Sequence, residues 1–163
     1  MSKIIKGDVD IRGLHLKNLP NILRDVRVEG FFNCSDNKLT SLENGPSSVD
    51  GYFWCRNNLL TSLVGVPSNV GRGFDCDRNK LTTLEGSPRI VEGSFYCSDN
   101  KLTTLVGGPI SVGGNFSCNN NKLTTLAGVP IKVNGDFFCE ENPVKFTEEQ
   151  IRAVCKVGGR VYV

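Results

Sequence analysis

The stretch VDGYFWCRNNLLTSLVGVPSN, residues 49–69, runs directly into VGRGFDCDRNKLTTLEGSPRI, residues 70–90, and the two align position for position. Working outward, VEGFFNCSDNKLTSLENGPSS precedes them from Val28. VEGSFYCSDNKLTTLVGGPIS and VGGNFSCNNNKLTTLAGVPIK follow from Val91 and Val112, and a partial copy, VNGDFFCEENPVKF, begins at Val133. Cys34, Cys55, Cys76, Cys97, Cys118 and Cys139 therefore stand 21 residues apart. The shared pattern is V-x-G-x-F-x-C-x-x-N-x-L-T-x-L-x-G-x-P-x-x. Units of this period without insertions predict coils stacked in register as a solenoid.

Within a unit, Val, Gly, Phe and Cys fall on every second residue, the alternation of a strand with one face inward. Identical coils side by side make that strand part of a parallel sheet. Leu39 and Leu42, and their equivalents, bring the return side of each coil into the same core. Gly65 and Pro67 mark the turn back to the next strand. The chain reads as a single domain, residues 1–163. Residues 1–27 form an N-terminal cap, in which 7–23 is a degenerate first coil that keeps the Leu16 and Leu19 spacing. Residues 28–146 hold five full repeats and a partial sixth. Residues 147–163 form a C-terminal cap: Thr147 and Gln150 make a capping box, Phe146 and Ile151 a hydrophobic staple, and RVYV a last strand after a short helix. This terminal piece is expected to act as a lid over the Phe137 layer.

The runs CSDNKLTSL at 34–42 and CNNNKLTTL at 118–126 resemble the leucine-rich repeat, closest to the short bacterial type with Pro near the end of each unit. The likeness extends to the leucine-rich-repeat proteins of large tailed phages, whose units share the V-x-G-x-F-x-C opening. It covers about residues 7–146. The resemblance implies a parallel-sheet solenoid that recognises a protein through its strand face, with a host protein as partner, and it implies no catalysis. The unit departs from the usual L-x-x-L-x-L opening, and its longer strict alternation leaves room for a straighter β-solenoid than a curved horseshoe.

Composition narrows the function classes. The 163 residues carry 19 Lys+Arg against 17 Asp+Glu, a formal charge of +2, which disfavours non-specific nucleic-acid binding. Hydrophobic residues at 39% and charged residues at 22% describe a folding chain, not a disordered one. No apolar run is long enough to span a membrane. The start, MSKIIKGDVDIRG, has no apolar run of signal-peptide length, so a cytoplasmic protein is expected. One His among 163 residues leaves little for His-based catalysis or multi-His metal sites. No nucleophile has a base at a usable spacing, and a single column of thiols does not converge on one point as a metal requires. We expect no catalytic residue, metal or cofactor.

Each column of the repeat then has its own reading. The Cys column is expected to be reduced and buried, the Phe column to fill the core, and the Asn column, Asn37 to Asn142, to satisfy turning backbone. The outward strand positions are where the copies differ. They carry acids (Glu29, Asp50, Asp75, Glu92, Asp136) and aromatics (Phe31, Tyr52, Trp54, Tyr96, Phe138) without Lys or Arg. Aromatics pointing away from a core are seldom left unused, and Trp and Tyr anchor protein interfaces. The candidate protein-binding residues are therefore Phe31, Tyr52, Trp54, Asp75, Glu92, Tyr96 and Phe138, centred on Trp54. Arg72, in the Gly position of its coil, is expected to disturb the local pleat. Lys38, Lys80, Lys101 and Lys122 line the turn, which supplies the alternative of nucleic-acid binding with the aromatics as stacking platforms. Acids beside both sets weigh against it. Self-association through the aromatic face is a further outcome open to such a surface.

Overall fold

A computed structural model describes residues 3–163 and shows a parallel β-solenoid of about eight coils with roughly 21-residue spacing. The register is the period itself: Phe32 lies opposite Phe53, Phe53 opposite Phe74, Phe74 opposite Phe95, and so on to Phe137.

The Val-Gly-Phe-Cys alternation does not form one strand. Each coil bends at its Gly and lays down two short strands, such as Ser48–Val49 and Phe53–Trp54, so the solenoid has two sheet faces where the sequence suggests one. Close packing at the corner explains the bend. A Cβ on Gly51 would lie 2.7 Å from the Gly30 carbonyl oxygen, while the Gly51 N–H donates to that same carbonyl at 3.0 Å. The second face is continuous, with eight parallel strands from Val9–Asp10 to Val161–Tyr162. The first face is split at the coil carrying Arg72. There Val70 makes an isolated bridge to Val49, and regular pairing resumes only at Ile90–Val91. Arg72 still keeps the corner ladder, its N–H donating to Gly51 at 3.1 Å.

Inside, the columns stack on themselves. Phe32, Phe53, Phe95, Phe116 and Phe137 are fully buried, and successive Phe rings lie 5.1 to 5.8 Å apart. Leu39, Leu42, Leu60 and Leu63 close the core from the return side. All seven cysteines are free and buried, and burial pushes the thiols of Cys34, Cys55, Cys76 and Cys97 up. The Asn column bonds across coils. Asn58 Nδ2 donates to the Cys34 and Cys55 carbonyls at 3.0 and 3.1 Å, and its Oδ1 accepts from Leu39 N–H at 2.9 Å. That arrangement repeats to Asn142. The residue just before each Asn is left-handed, from Asp36 (φ 56°) through Arg78 (φ 55°) to Glu141 (φ 56°), a conformation that Asp and Asn enter most readily.

Both ends differ from the sequence reading. The first coil starts at Lys3–Ile5, which pairs with Val26–Val28, an offset of 26 − 3 = 23 residues. A 3-10 turn at Asn21–Leu23 takes up the excess on the return side. At the other end, RVYV is the expected last strand, and it completes an eighth coil over the Phe137 layer. VGGRVYV, residues 157–163, repeats the unit opening with Val161 in the Phe position and Val163 in the Cys position. Lys156–Val157 pairs with Lys132–Val133, and Val161–Tyr162 with Phe137–Phe138, extending both faces in register. The helix Glu148–Val154 starts from the expected Thr147–Gln150 capping box and buries Ile151. It stands in for the return segment of the preceding coil, so Phe137 is faced by Val161 rather than covered by the helix alone.

Candidate functional site

The second face presents outward rows because Phe and Cys point inward and their neighbours cannot. One row runs Phe31, Tyr52, Gly73 and Ser94. The adjacent row runs Asn33, Trp54, Asp75, Tyr96, Ser117 and Phe138, each directly opposite the next. These rows gather three of the expected residues into one cluster. Phe31 and Trp54 have ring centroids 5.1 Å apart, and Tyr52 stacks on Trp54 at 5.3 Å. Tyr52 is 38% exposed, while Phe31 and Trp54 are half-buried.

The remaining candidates distribute differently. Asp75 neighbours Trp54 but is only 9% exposed, so it is a buried carboxylate and not a solvated rim charge. Its Oδ1 accepts from the Asp77 N–H at 3.0 Å, and burial raises its pKa. Burial and the Asp75 charge push Asp77 up to about 7. Tyr96 follows Asp75 in the row and is half-buried. Phe138 lies two coils further on, where it stacks on Tyr162 at 4.7 Å and 2° between planes, a second aromatic patch apart from the first. Glu92 lies before the corner of its coil and lines a hollow with Asn69, Gly71 and Ile90. It does not join the Trp54 cluster.

Two hollows flank Trp54. One, of about 360 Å³, is lined by Phe31, Tyr52, Trp54, Glu29, Asp50 and Arg72 among others. Arg72 holds its guanidinium carbon 5.9 Å from the Tyr52 ring centre, and Arg27 pairs with Asp50 at 2.7 Å. The other hollow, of about 320 Å³, is lined by Asn33, Ser35, Asp36, Trp54, Arg56 and Asp75, with Arg12 beside them. The outward strand positions themselves carry no Lys or Arg, but the hollows beside them contain Arg12, Arg56 and Arg72, so the surface around the aromatics is of mixed charge. Arg12 and Arg56 belong to the residue just after Cys in the repeat, one step past the outward strand positions. Past the strands the backbone ladder runs on, the Gly13 N–H donating to the Ser35 carbonyl at 3.1 Å and the Asp36 N–H to the Arg56 carbonyl at 3.0 Å, which brings that position onto the same surface. Tyr162 was equally hidden, because its coil has Val in place of both Phe and Cys.

Both the aromatic cluster and the mixed charges around it suit non-covalent contact. No known protein family matches the chain, and neither curated proteins nor solved structures show a significant similarity to it.

Proposed function

We propose that this protein is a non-catalytic protein-binding module whose contact surface is the Phe31–Tyr52–Trp54 cluster on the second sheet face. The observation that carries this reading is that two large aromatics, Tyr52 stacked and Phe31 tilted, gather on Trp54 outside the core, on a sheet whose own Phe column is already complete. Exposed aromatic clusters ringed by polar groups concentrate binding energy, since the rim excludes water while an anchor fills a pocket. The resemblance of the repeat motif to the units of leucine-rich-repeat proteins of large tailed phages is the basis for proposing a host protein, inhibited or modulated in a host cytoplasm, as the partner. A self-pairing of the same face is the competing protein partner.

Nucleic-acid binding through Lys38, Lys80, Lys101 and Lys122 is the second reading. Leu59 interrupts that column, and Asp36 and Asp99 flank it.

The test is capture from host lysate with wild type, Trp54→Ala and Lys101→Glu immobilised in parallel, read by quantitative mass spectrometry. A specific partner should be lost by about 2 kcal/mol, some thirtyfold, with Trp54→Ala and retained within about 0.5 kcal/mol with Lys101→Glu. Retention by Trp54→Ala with loss by Lys101→Glu moves the working surface to the turn edge. Nuclease-sensitive capture favours the second reading.

A further inference from the structure

The hollow between Arg12, Ser35 and Arg56 has more hydrogen-bond donors than the protein uses. Arg12, Ser35 and Arg56 are successive members of one column, so a small residue stands between two guanidinium-bearing ones and leaves a notch about two coil spacings wide, roughly 10 Å. Ser35 forms part of the wall and is 2% exposed, and its Oγ has no hydrogen-bond partner. A buried hydroxyl without a protein partner is uncommon. Asn33, 6% exposed, spends its Oδ1 on the Ser35 N–H at 3.1 Å, while its NH2 group donates to nothing among the described residues. The Arg56 guanidinium likewise has neither an ion pair nor a side-chain hydrogen bond among the described residues. Arg12 is only loosely held, 3.4 Å from Asp10.

The neighbouring carboxylates are partly engaged. Asp36 takes the Asn57 Nδ2 at 2.8 Å, and Asp75 takes the Asp77 N–H at 3.0 Å. Each of these bonds uses one oxygen of its carboxylate, while the donors left without a partner are a fork-shaped guanidinium, an amide and a hydroxyl. These groups together match a planar carboxylate, which a guanidinium can take bidentately. Trp54 forms the adjoining wall and can cover the methylenes that carry it. A volume of about 320 Å³ suits one side chain and not an extended cofactor. Among the described residues, no three His, Cys, Asp or Glu approach closely enough to hold a metal ion, so the nearby acids do not compete for that role.

We propose that this notch is a socket for a carboxylate-bearing side chain, an Asp or Glu of the bound protein, held by Arg56, Ser35 and Asn33 with its stem against Trp54. This rests on the protein-binding reading and adds the chemistry of the partner residue that sits beside the aromatic cluster. Arg12 closes the notch from the preceding coil, and Asp36 and Asp75 line its other walls.

The socket can be tested without the partner. Uniformly 15N-labelled full-length protein is titrated with N-acetyl-glutamate α-amide, its neutral isostere N-acetyl-glutamine α-amide, and N-acetyl-lysine α-amide. The glutamate probe should give saturable shifts at the Trp54 indole N–H and the backbone amides of Ser35 and Arg56. The glutamine and lysine probes should bind at least tenfold more weakly. Arg56→Met, which keeps the apolar stem of an exposed side chain, should lose the glutamate response by at least tenfold. Ser35→Ala should weaken it several-fold. Equal responses to glutamate and glutamine, preference for lysine, no saturable response to glutamate, or an unchanged response in Arg56→Met would each overturn the socket. A positive titration alongside failed lysate capture would instead leave the carboxylate site standing and remove the protein-partner reading.

Discussion

Asp77 shows how a single outward residue couples to its setting. Its Oδ1 accepts the Ser98 N–H at 2.6 Å, yet burial and the neighbouring Asp75 charge push it up to about 7 from an ordinary 3.8. The folded chain therefore holds a proton that the unfolded chain releases between those two values. Its stabilising share is complete below about pH 3.8 and is lost as pH rises through 7. Asp77→Asn keeps an acceptor for Ser98 and removes the charge. It should be more stable than wild type by on the order of 2 kcal/mol at pH 8 and nearly equal at pH 4, measured by urea unfolding at both. A difference that does not depend on pH would rule out the burial account. Asn79 works in the opposite sense, by being satisfied. Its side chain serves the Cys55 and Cys76 carbonyls and the Leu60 N–H. Asn79→Ala strands those groups and should cost about 1–3 kcal/mol in the same assay.

At the scale of elements, the last coil matters more than its length suggests. Residues 156–163 continue both faces, and Val161 lies opposite Phe137. A charge there must be desolvated against the Phe column. Val161→Asp should destabilise by about 2–3 kcal/mol and increase binding of a hydrophobic dye, whereas Thr147→Ala, which removes the helix N-cap, should cost about 1 kcal/mol. If Val161→Asp melts like wild type, the helix alone closes the core. The corner is the other element that decides the surface. Residues just before it reach the aromatic cluster when their coil is near: Glu29 and Asp50 line the hollow beside Trp54, whereas Glu92, two coils further along, does not.

Over the whole molecule, stability is a sum of similar coils and their contacts, so length is adjustable in steps of one period. Deleting residues 91–111 removes one full period and joins Ile90 to Val112, which occupies the same position as Val91. The product should fold cooperatively with reduced stability. Deleting one residue fewer, 91–110, throws the following segment out of register and sends inward side chains outward. Circular dichroism and denaturation of both deletions check this: equal folding of the two would mean that the register is not what specifies the stack.

What the sequence determined by itself was everything that recurs. A period repeated without insertion carries its own alignment, so the solenoid, the parallel pairing, the buried Phe, Cys and Leu columns, the Asn ladder and the Thr147 capping box were all legible from spacing and residue type. The aromatic candidates Phe31, Tyr52 and Trp54 were legible for the same reason, as departures from the pattern at outward positions. Tertiary structure decided what depends on contact between coils. The corner bends because the Gly backbone must lie against the backbone of the coil before it, and no local pattern shows that contact. Arg12, Ser35 and Arg56 meet beside Trp54 because stacking brings residues of different coils within a few ångströms. Asp75 is buried by its neighbours, so its charge state is set by surroundings that its own segment does not contain. RVYV was legible as a last strand, but its place as an eighth coil was masked because Val replaces both signature residues; its pairing with Phe137–Phe138 shows that place, since hydrogen-bond register depends on backbone position and not on side-chain identity.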